Sequence, residues 1–174
     1  MFERRDILTG GIGLLAFTLG GAPCLLTPAQ ARAQGAEMRT LSGEEVKILE
    51  AFGEALVPGA AAAGMAHYVD QQISGPPQDA MLMLRYLDIA PPFADFYHAA
   101  LAKLDIAARD AFGKALPLLD PAQAQRLVGA IAKSDFALYF ALRADAVDVV
   151  YGTRAGMARL GVPVMGHIEP EREW

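Results

Sequence analysis

The chain has 174 residues, 53% of them hydrophobic, and a net charge of −5 at pH 7. An acidic chain of this length predicts one domain and disfavours nucleic acid or anionic lipid as a main partner. The one cysteine, Cys24, lies in an apolar N-terminal stretch. The rest of the chain therefore cannot form a disulfide, a thiolate metal site, a catalytic thiolate or a covalent c-type haem attachment.

Residues 1–33 have the three parts of an export leader. A charged start is followed by an apolar stretch, and no charged side chain occurs between Ile7 and Ala31. Ala31 and Ala33 supply the small residues of a signal-peptidase site. We therefore expect a signal helix that is removed by cleavage after Ala33. An uncleaved stretch of this length can also span a bilayer, so a retained membrane anchor is the alternative.

The charged start resembles the twin-arginine export signal, whose usual form is Arg-Arg-x-Phe-Leu-Lys. The matching residues are Arg4, Arg5, Ile7 and Leu8, with Ile7 in the place of the Phe. Five glycines between residues 10 and 21 keep the apolar stretch only moderately hydrophobic, which suits this pathway. Because the twin-arginine translocase carries folded proteins, the leader predicts a cargo that folds, or assembles with a partner, before export.

The rest of the chain predicts short helices separated by Pro and Gly. Residues 34–41 are a predicted linker. Ser42 and Glu45 form a capping box at the start of a helix that Pro58-Gly59 ends. No segment alternates between apolar and polar residues for long enough to predict a strand. The spacing of apolar residues predicts further helices over 65–73, 80–89, 93–104, 106–116, 122–133, 135–151 and 154–160.

The tail, residues 162–174, is more apolar than a free chain end normally is. Two interpretations remain open: the tail packs back over its own bundle, or it docks on another subunit. The expected fold class is all-α, with one domain over residues 42–174. It is a small orthogonal helical bundle with an extended C-terminal tail that contains Pro and Gly, and the signal helix precedes it.

The side chains that could carry chemistry are few and scattered. The histidines are His67, His98 and His167, and no two of them share a helix at a metal-binding spacing. Asp145 and Asp148 are three residues apart, which a solvated helix face or a set of salt bridges explains. No phosphate-binding loop or nucleophile motif is present. We therefore predict no catalytic, cofactor-binding or metal-binding residue in this chain.

Two segments resemble the gluconate 2-dehydrogenase subunit 3 family. The first is KILEAFGEALVPGAAAAGMAHYVDQQI, and the second is FALYFALRADAVDVVYGT followed by GMARLGVPVMGHIEPEREW. The resemblance covers residues 41–174. It implies structural or interface roles for the Val-Pro-Gly segment and for the tail. The candidate interface residues are Val57, Pro58, Gly59, Val162, Pro163, Met165, His167, Ile168 and Trp174.

The resemblance implies a non-catalytic small subunit of a periplasmic, flavin-dependent dehydrogenase. The large subunit would be a glucose–methanol–choline-type FAD enzyme that oxidises a sugar, a sugar acid or an alcohol. Haem c would belong to a possible third subunit, a cytochrome c, and this chain would bind no cofactor itself. The chain would stabilise the large subunit and supply its twin-arginine signal, and the complex would associate with the membrane.

A function of another class stays open beside this one. In the alternative, the chain is a stand-alone periplasmic binding protein or enzyme that uses His98 and His167 with nearby carboxylates. Such a protein would bind a ligand or turn over a substrate without any partner chain. Substitution of His167 by Ala would abolish that activity.

Overall fold

The computed structural model describes residues 13–162, which form a mainly helical domain. This confirms the predicted all-α class, to which the structure adds one small β-hairpin. Three short 3-10 turns, Pro77–Asp79, Met83–Tyr86 and Leu116–Leu118, connect the helices. The α-helices are α1 (Pro28–Gln34), α2 (Gly43–Leu56), α3 (Met65–Ile73), α4 (Phe93–Phe112), α5 (Pro121–Ser134), α6 (Phe136–Tyr151) and α7 (Arg154–Arg159).

The capping residues place the helix starts as the sequence predicts. The Ser42 side chain accepts the backbone N–H of Glu45, and the Glu45 carboxylate accepts the backbone N–H of Ser42. The same reciprocal pair starts α5, where Asp120 and Gln123 take these roles and Pro121 is the first helical residue. The bounds of α3 are also those predicted from its apolar spacing.

Two predicted helices in the middle of the chain are wrong. A separate helix over 106–116 does not exist, because α4 runs unbroken through Asp105. The Asp105 carboxylate instead accepts the N–H of Leu116 at 2.9 Å and pairs with Arg109, so it does not cap a helix. The helix predicted over 80–89 is reduced to one 3-10 turn. Ala80 and Leu82 are buried in extended backbone before this turn, and Leu84 is buried within it.

The predicted signal helix is also wrong over residues 15–26, which form an antiparallel hairpin of β1 (Leu15–Leu19) and β2 (Ala22–Leu26). Gly20 and Gly21 form its turn with φ of +57° and +77°. Two residues with positive φ are what a tight hairpin turn requires, and glycine supplies them at the lowest cost. Within residues 13–162, no helix is both long and apolar enough to cross a bilayer.

The predicted linker, residues 34–41, lies on the body of the domain. Its first residue ends α1, and Ala36 and Leu41 are buried. Asp70 of α3 holds the segment, because its carboxylate accepts the backbone N–H groups of residues 39–41 at 2.8 to 2.9 Å. Three such bonds to one buried side chain fix the path of the chain into α2.

The helix α2 lies at the centre of the bundle and packs against α3, α4, α5 and α6. It contributes Leu49 and Phe52 to the core, where Leu101 and Leu142 from other helices are also fully buried. A second, smaller apolar cluster joins the hairpin to α1. The domain therefore has one main core and a satellite under its N-terminal segment.

Candidate functional site

The Val-Pro-Gly segment predicted at an interface follows α2 directly. Val57 is buried in the main core, whereas Pro58 is exposed and Gly59 adopts a φ of +96°. The Glu54 carboxylate accepts the backbone N–H groups of Gly59 at 2.9 Å and Ala61 at 3.3 Å. These bonds fix the loop, so that Val57 has a structural role while Pro58 and Gly59 face the surface.

Pro58 borders an open apolar groove of about 430 Å³, here named the Pro58 groove. Its other walls are the end of α2, the start of α5 and the 3-10 turn that includes Pro117. The Gln125 side-chain amide donates to the Ala55 carbonyl at 2.5 Å and holds α5 against α2. Leu118, in the same 3-10 turn, is 70% exposed. An apolar groove with fixed walls and an exposed leucine nearby is a typical protein-binding surface.

Gly59 borders a second groove of about 350 Å³, here named the Gly59 groove. Its walls come from the loop before α3, the end of α6, the start of α1 and α7, and they include Val149, Val150 and Pro28. The Arg159 guanidinium lies at its edge, 3.9 Å from where a Gly59 Cβ would be. Pro58 and Gly59, which are neighbours in one loop, thus border two different grooves.

Most of the other predicted residues lie outside the part of the chain that the structure describes. Val162 is the last described residue and is 48% exposed. Ala31 is fully buried and Ala33 is exposed, and both lie within α1. The predicted residues outside the described range are Arg4, Arg5, Ile7, Leu8, Pro163, Met165, His167, Ile168 and Trp174.

The two described histidines have different surroundings. The Nδ1 of His98 lies 2.5 Å from the Glu45 carboxylate, beside the capping box of α2. Burial favours neutral Glu45, but hydrogen bonds from His98 and Ser42 outweigh it and hold the pKa of Glu45 below its ordinary value. His67 is buried beneath the hairpin, and burial lowers its pKa. Among residues 13–162, no three His, Cys, Asp or Glu side chains are placed to hold a metal ion.

Asp145 is fully buried, so its predicted place on a solvated helix face is wrong. Of the two aspartates, only Asp148 is exposed. The Tyr97 hydroxyl of α4 donates to Asp145 Oδ2 at 2.7 Å, and Oδ1 has no partner among the described residues. Burial raises the pKa of Asp145 to about 7 and raises the pKa of Tyr97 as well. The pair connects α4 to α6 inside the core and is closed to solvent.

An aromatic patch at the start of α6 was not predicted. Phe136 is 63% exposed and stacks on Phe140 with ring centroids 5.6 Å apart, and Tyr139 lies at 6.4 Å. The sequence presents these residues as part of a helical stripe, which normally faces a core. The exposed ring is a further surface on which another chain can pack.

The described domain is thus a small helical unit whose surface offers apolar grooves and aromatic rings, the features of a subunit that binds other chains. Residues 43–161, from α2 through α7, match the family model for gluconate 2-dehydrogenase subunit 3. The chain belongs to this family, as the resemblance of its motifs indicated. Membership identifies a subunit of a multi-subunit dehydrogenase. No curated protein and no solved structure gave a match.

Proposed function

We propose that the chain is the small, non-catalytic subunit of a periplasmic, flavin-dependent dehydrogenase of the glucose–methanol–choline type. The family match over residues 43–161 carries this proposal. The large subunit holds FAD and oxidises a sugar, a sugar acid or an alcohol. In complexes with a third subunit, a cytochrome c holds haem c and accepts the electrons. The small subunit binds neither cofactor and stabilises the large one.

The second role is export. Arg4, Arg5, Ile7 and Leu8 have the pattern of a twin-arginine signal. A leader for folded cargo suits a large subunit that must take up FAD before it crosses the membrane. One signal on the small subunit then serves both chains, and the complex works in the periplasm, attached to the membrane.

The Pro58 groove is the surface that we assign to the large subunit. It is apolar and open, and the hydrogen bonds of Glu54 and Gln125 hold its walls in place before binding. A preformed wall lowers the ordering cost of association. The exposed Leu118 next to the groove offers an apolar side chain for burial on the partner.

Co-export is tested by replacing Arg4 and Arg5 with Lys in cells that also express the large subunit. We expect the folded large subunit and its dehydrogenase activity to stay in the cytoplasm. The matched control replaces Arg39 and Arg143 with Lys, because both are exposed arginines of the body. Export of the large subunit by the Arg4→Lys, Arg5→Lys variant would show that its signal comes from elsewhere.

A further inference from the structure

The segment predicted as a removable leader is built into the fold. The hairpin, α1 and the following turn, residues 15–36, form what we name the N-terminal cover. Its cluster is made of Phe17, Leu26, Ala31 and Ala36, none more than 7% exposed. Ala31, a residue of the predicted cleavage site, is completely buried. The cover therefore has an apolar centre of its own, beside the main core.

Polar contacts fasten this cover at two points. The Arg32 guanidinium pairs with the Glu50 carboxylate of α2 through two contacts, at 2.7 and 3.3 Å. The backbone N–H of Glu37 donates to the Thr18 carbonyl at 2.9 Å, and its carboxylate accepts the N–H of Gly21 at 3.1 Å. The first contact fixes α1 to the body, and the second closes the hairpin over the chain that follows.

The start of α3 permits close packing of the N-terminal cover. Gly64, at the start of α3, has a φ of +84°, and a Cβ added there would lie 2.2 Å from the Pro28 carbonyl oxygen. Only glycine permits this approach of α1 to α3. The Phe17 ring lies 6.4 Å from the His67 imidazole, which is 7% exposed. The cover therefore packs against Gly64 and His67, which lie well after the predicted leader, residues 1–33.

Cleavage after Ala33 conflicts with this arrangement. A protease needs the residues around the bond to be extended and accessible, which in a folded protein requires local unfolding. Ala31 and Ala33 lie in α1, which has a capping box at Thr27 and ends at Gly35 with a φ of +68°. Cutting the bond requires α1 to unwind and Ala31 to leave its cluster.

We infer that the N-terminal cover stays on the folded domain, so that the bond between Ala33 and Gln34 is protected and residues 15–36 form part of the exported protein. The inference rests on the proposed export in the folded state, since an unfolded chain would not form the cover. The apolar stretch then serves as a wall of the domain and shields the surface around His67.

The test compares Phe17→Ser with Leu25→Ser in the full chain. Both variants replace an apolar residue of the same hairpin, but Phe17 is 6% exposed and Leu25 is 56% exposed. Elastase, which cuts after small residues, is the probe, and fragment masses give the cutting rate within residues 27–36. We expect wild type and Leu25→Ser to resist, and Phe17→Ser to be cut about tenfold faster or more. Equal rates in all three proteins would overturn the inference.

Two measurements on the wild-type chain need no variant. Diethyl pyrocarbonate should leave His67 unmodified while it modifies the half-exposed His98. By intact mass, the exported chain should begin at or before Leu15. Modification of His67 as fast as His98, or an exported chain that begins after Leu15, would overturn the inference. If the chain is exported folded but without the large subunit, this failure of co-export would appear only in the compartment of the large subunit and would leave the elastase result unchanged.

Discussion

The buried carboxyl of Asp145 predicts an unusual dependence of stability on pH. In the folded protein its pKa is about 7, whereas its ordinary value is 3.8. Between these values the folded state keeps a proton that the unfolded state releases. The protonated Asp145 therefore contributes to the free energy of unfolding fully below about pH 4, and this contribution is lost as the pH rises through 7.

Asp145→Asn removes this titration and keeps the shape of the side chain. Between pH 5 and pH 7.5, the two pKa values give a change of about 2.5 kcal/mol in the free energy of unfolding. The free energy of unfolding of the variant, relative to that of the wild type, should therefore be about 2.5 kcal/mol higher at pH 7.5 than at pH 5. Its amide oxygen can still accept the Tyr97 hydroxyl, so the core connection is kept.

The assay is urea unfolding of the full chain at both pH values, followed by circular dichroism. Asp110→Asn is the control, because Asp110 is an exposed aspartate of α4. The difference between variant and wild type isolates the one carboxyl from all other groups that titrate. If the difference in free energy of unfolding between variant and wild type is the same at both pH values, Asp145 does not hold a proton in the folded state.

Two further predictions concern the chain entry into α2 and the Pro58 groove. Asp70→Asn should destabilise the domain by about 2–3 kcal/mol in urea unfolding, because the single amide oxygen of Asn cannot accept all three N–H groups of residues 39–41. An unchanged midpoint of urea unfolding would contradict this role. Leu118→Glu should weaken binding of the large subunit about tenfold or more in a titration, while Ile106→Glu, at an exposed site on α4, should leave binding unchanged. Equal affinities of the two variants for the large subunit would remove the groove from the interface.

Local signals in the sequence predicted the helix starts well. Ser42 with Glu45, and Asp120 with Pro121, form caps whose partners lie within one turn, so the sequence alone contains both members. Asp105 shows the limit of this reasoning. The Asp105 carboxylate accepts the N–H of Leu116, eleven residues away, instead of an N–H in the next turn. An aspartate therefore lies inside a helix here and does not begin one.

The hairpin and the burial of Asp145 depend on tertiary contacts that the sequence alone does not show. The glycines between residues 10 and 21 suit a moderately hydrophobic signal helix, but Gly20 and Gly21 form a hairpin turn that pairs two short strands. The only visible hint was a Gly-Gly pair between apolar segments, which is a hairpin signal. Asp145 is flanked by alanines, a setting typical of burial, but its partner Tyr97 lies 48 residues earlier in the chain.

The candidate site was predicted in part. The family motif predicts an interface at Val57, Pro58 and Gly59. In the structure these residues differ in place, since Val57 is in the core and the other two border grooves. The Phe136 patch was missed, because helical periodicity does not distinguish a buried stripe from one left open for a partner.

Size-exclusion chromatography of a native extract that combines the periplasm with detergent-solubilised membranes tests the central claim most directly. The chain is detected by mass spectrometry, and flavin fluorescence and dehydrogenase activity are measured across the same fractions. We predict that all three signals elute together, in a species well above the 18.5 kDa of the chain alone. Elution of the chain at its own mass, apart from flavin and activity, would contradict its assignment as a subunit of a flavin-dependent dehydrogenase.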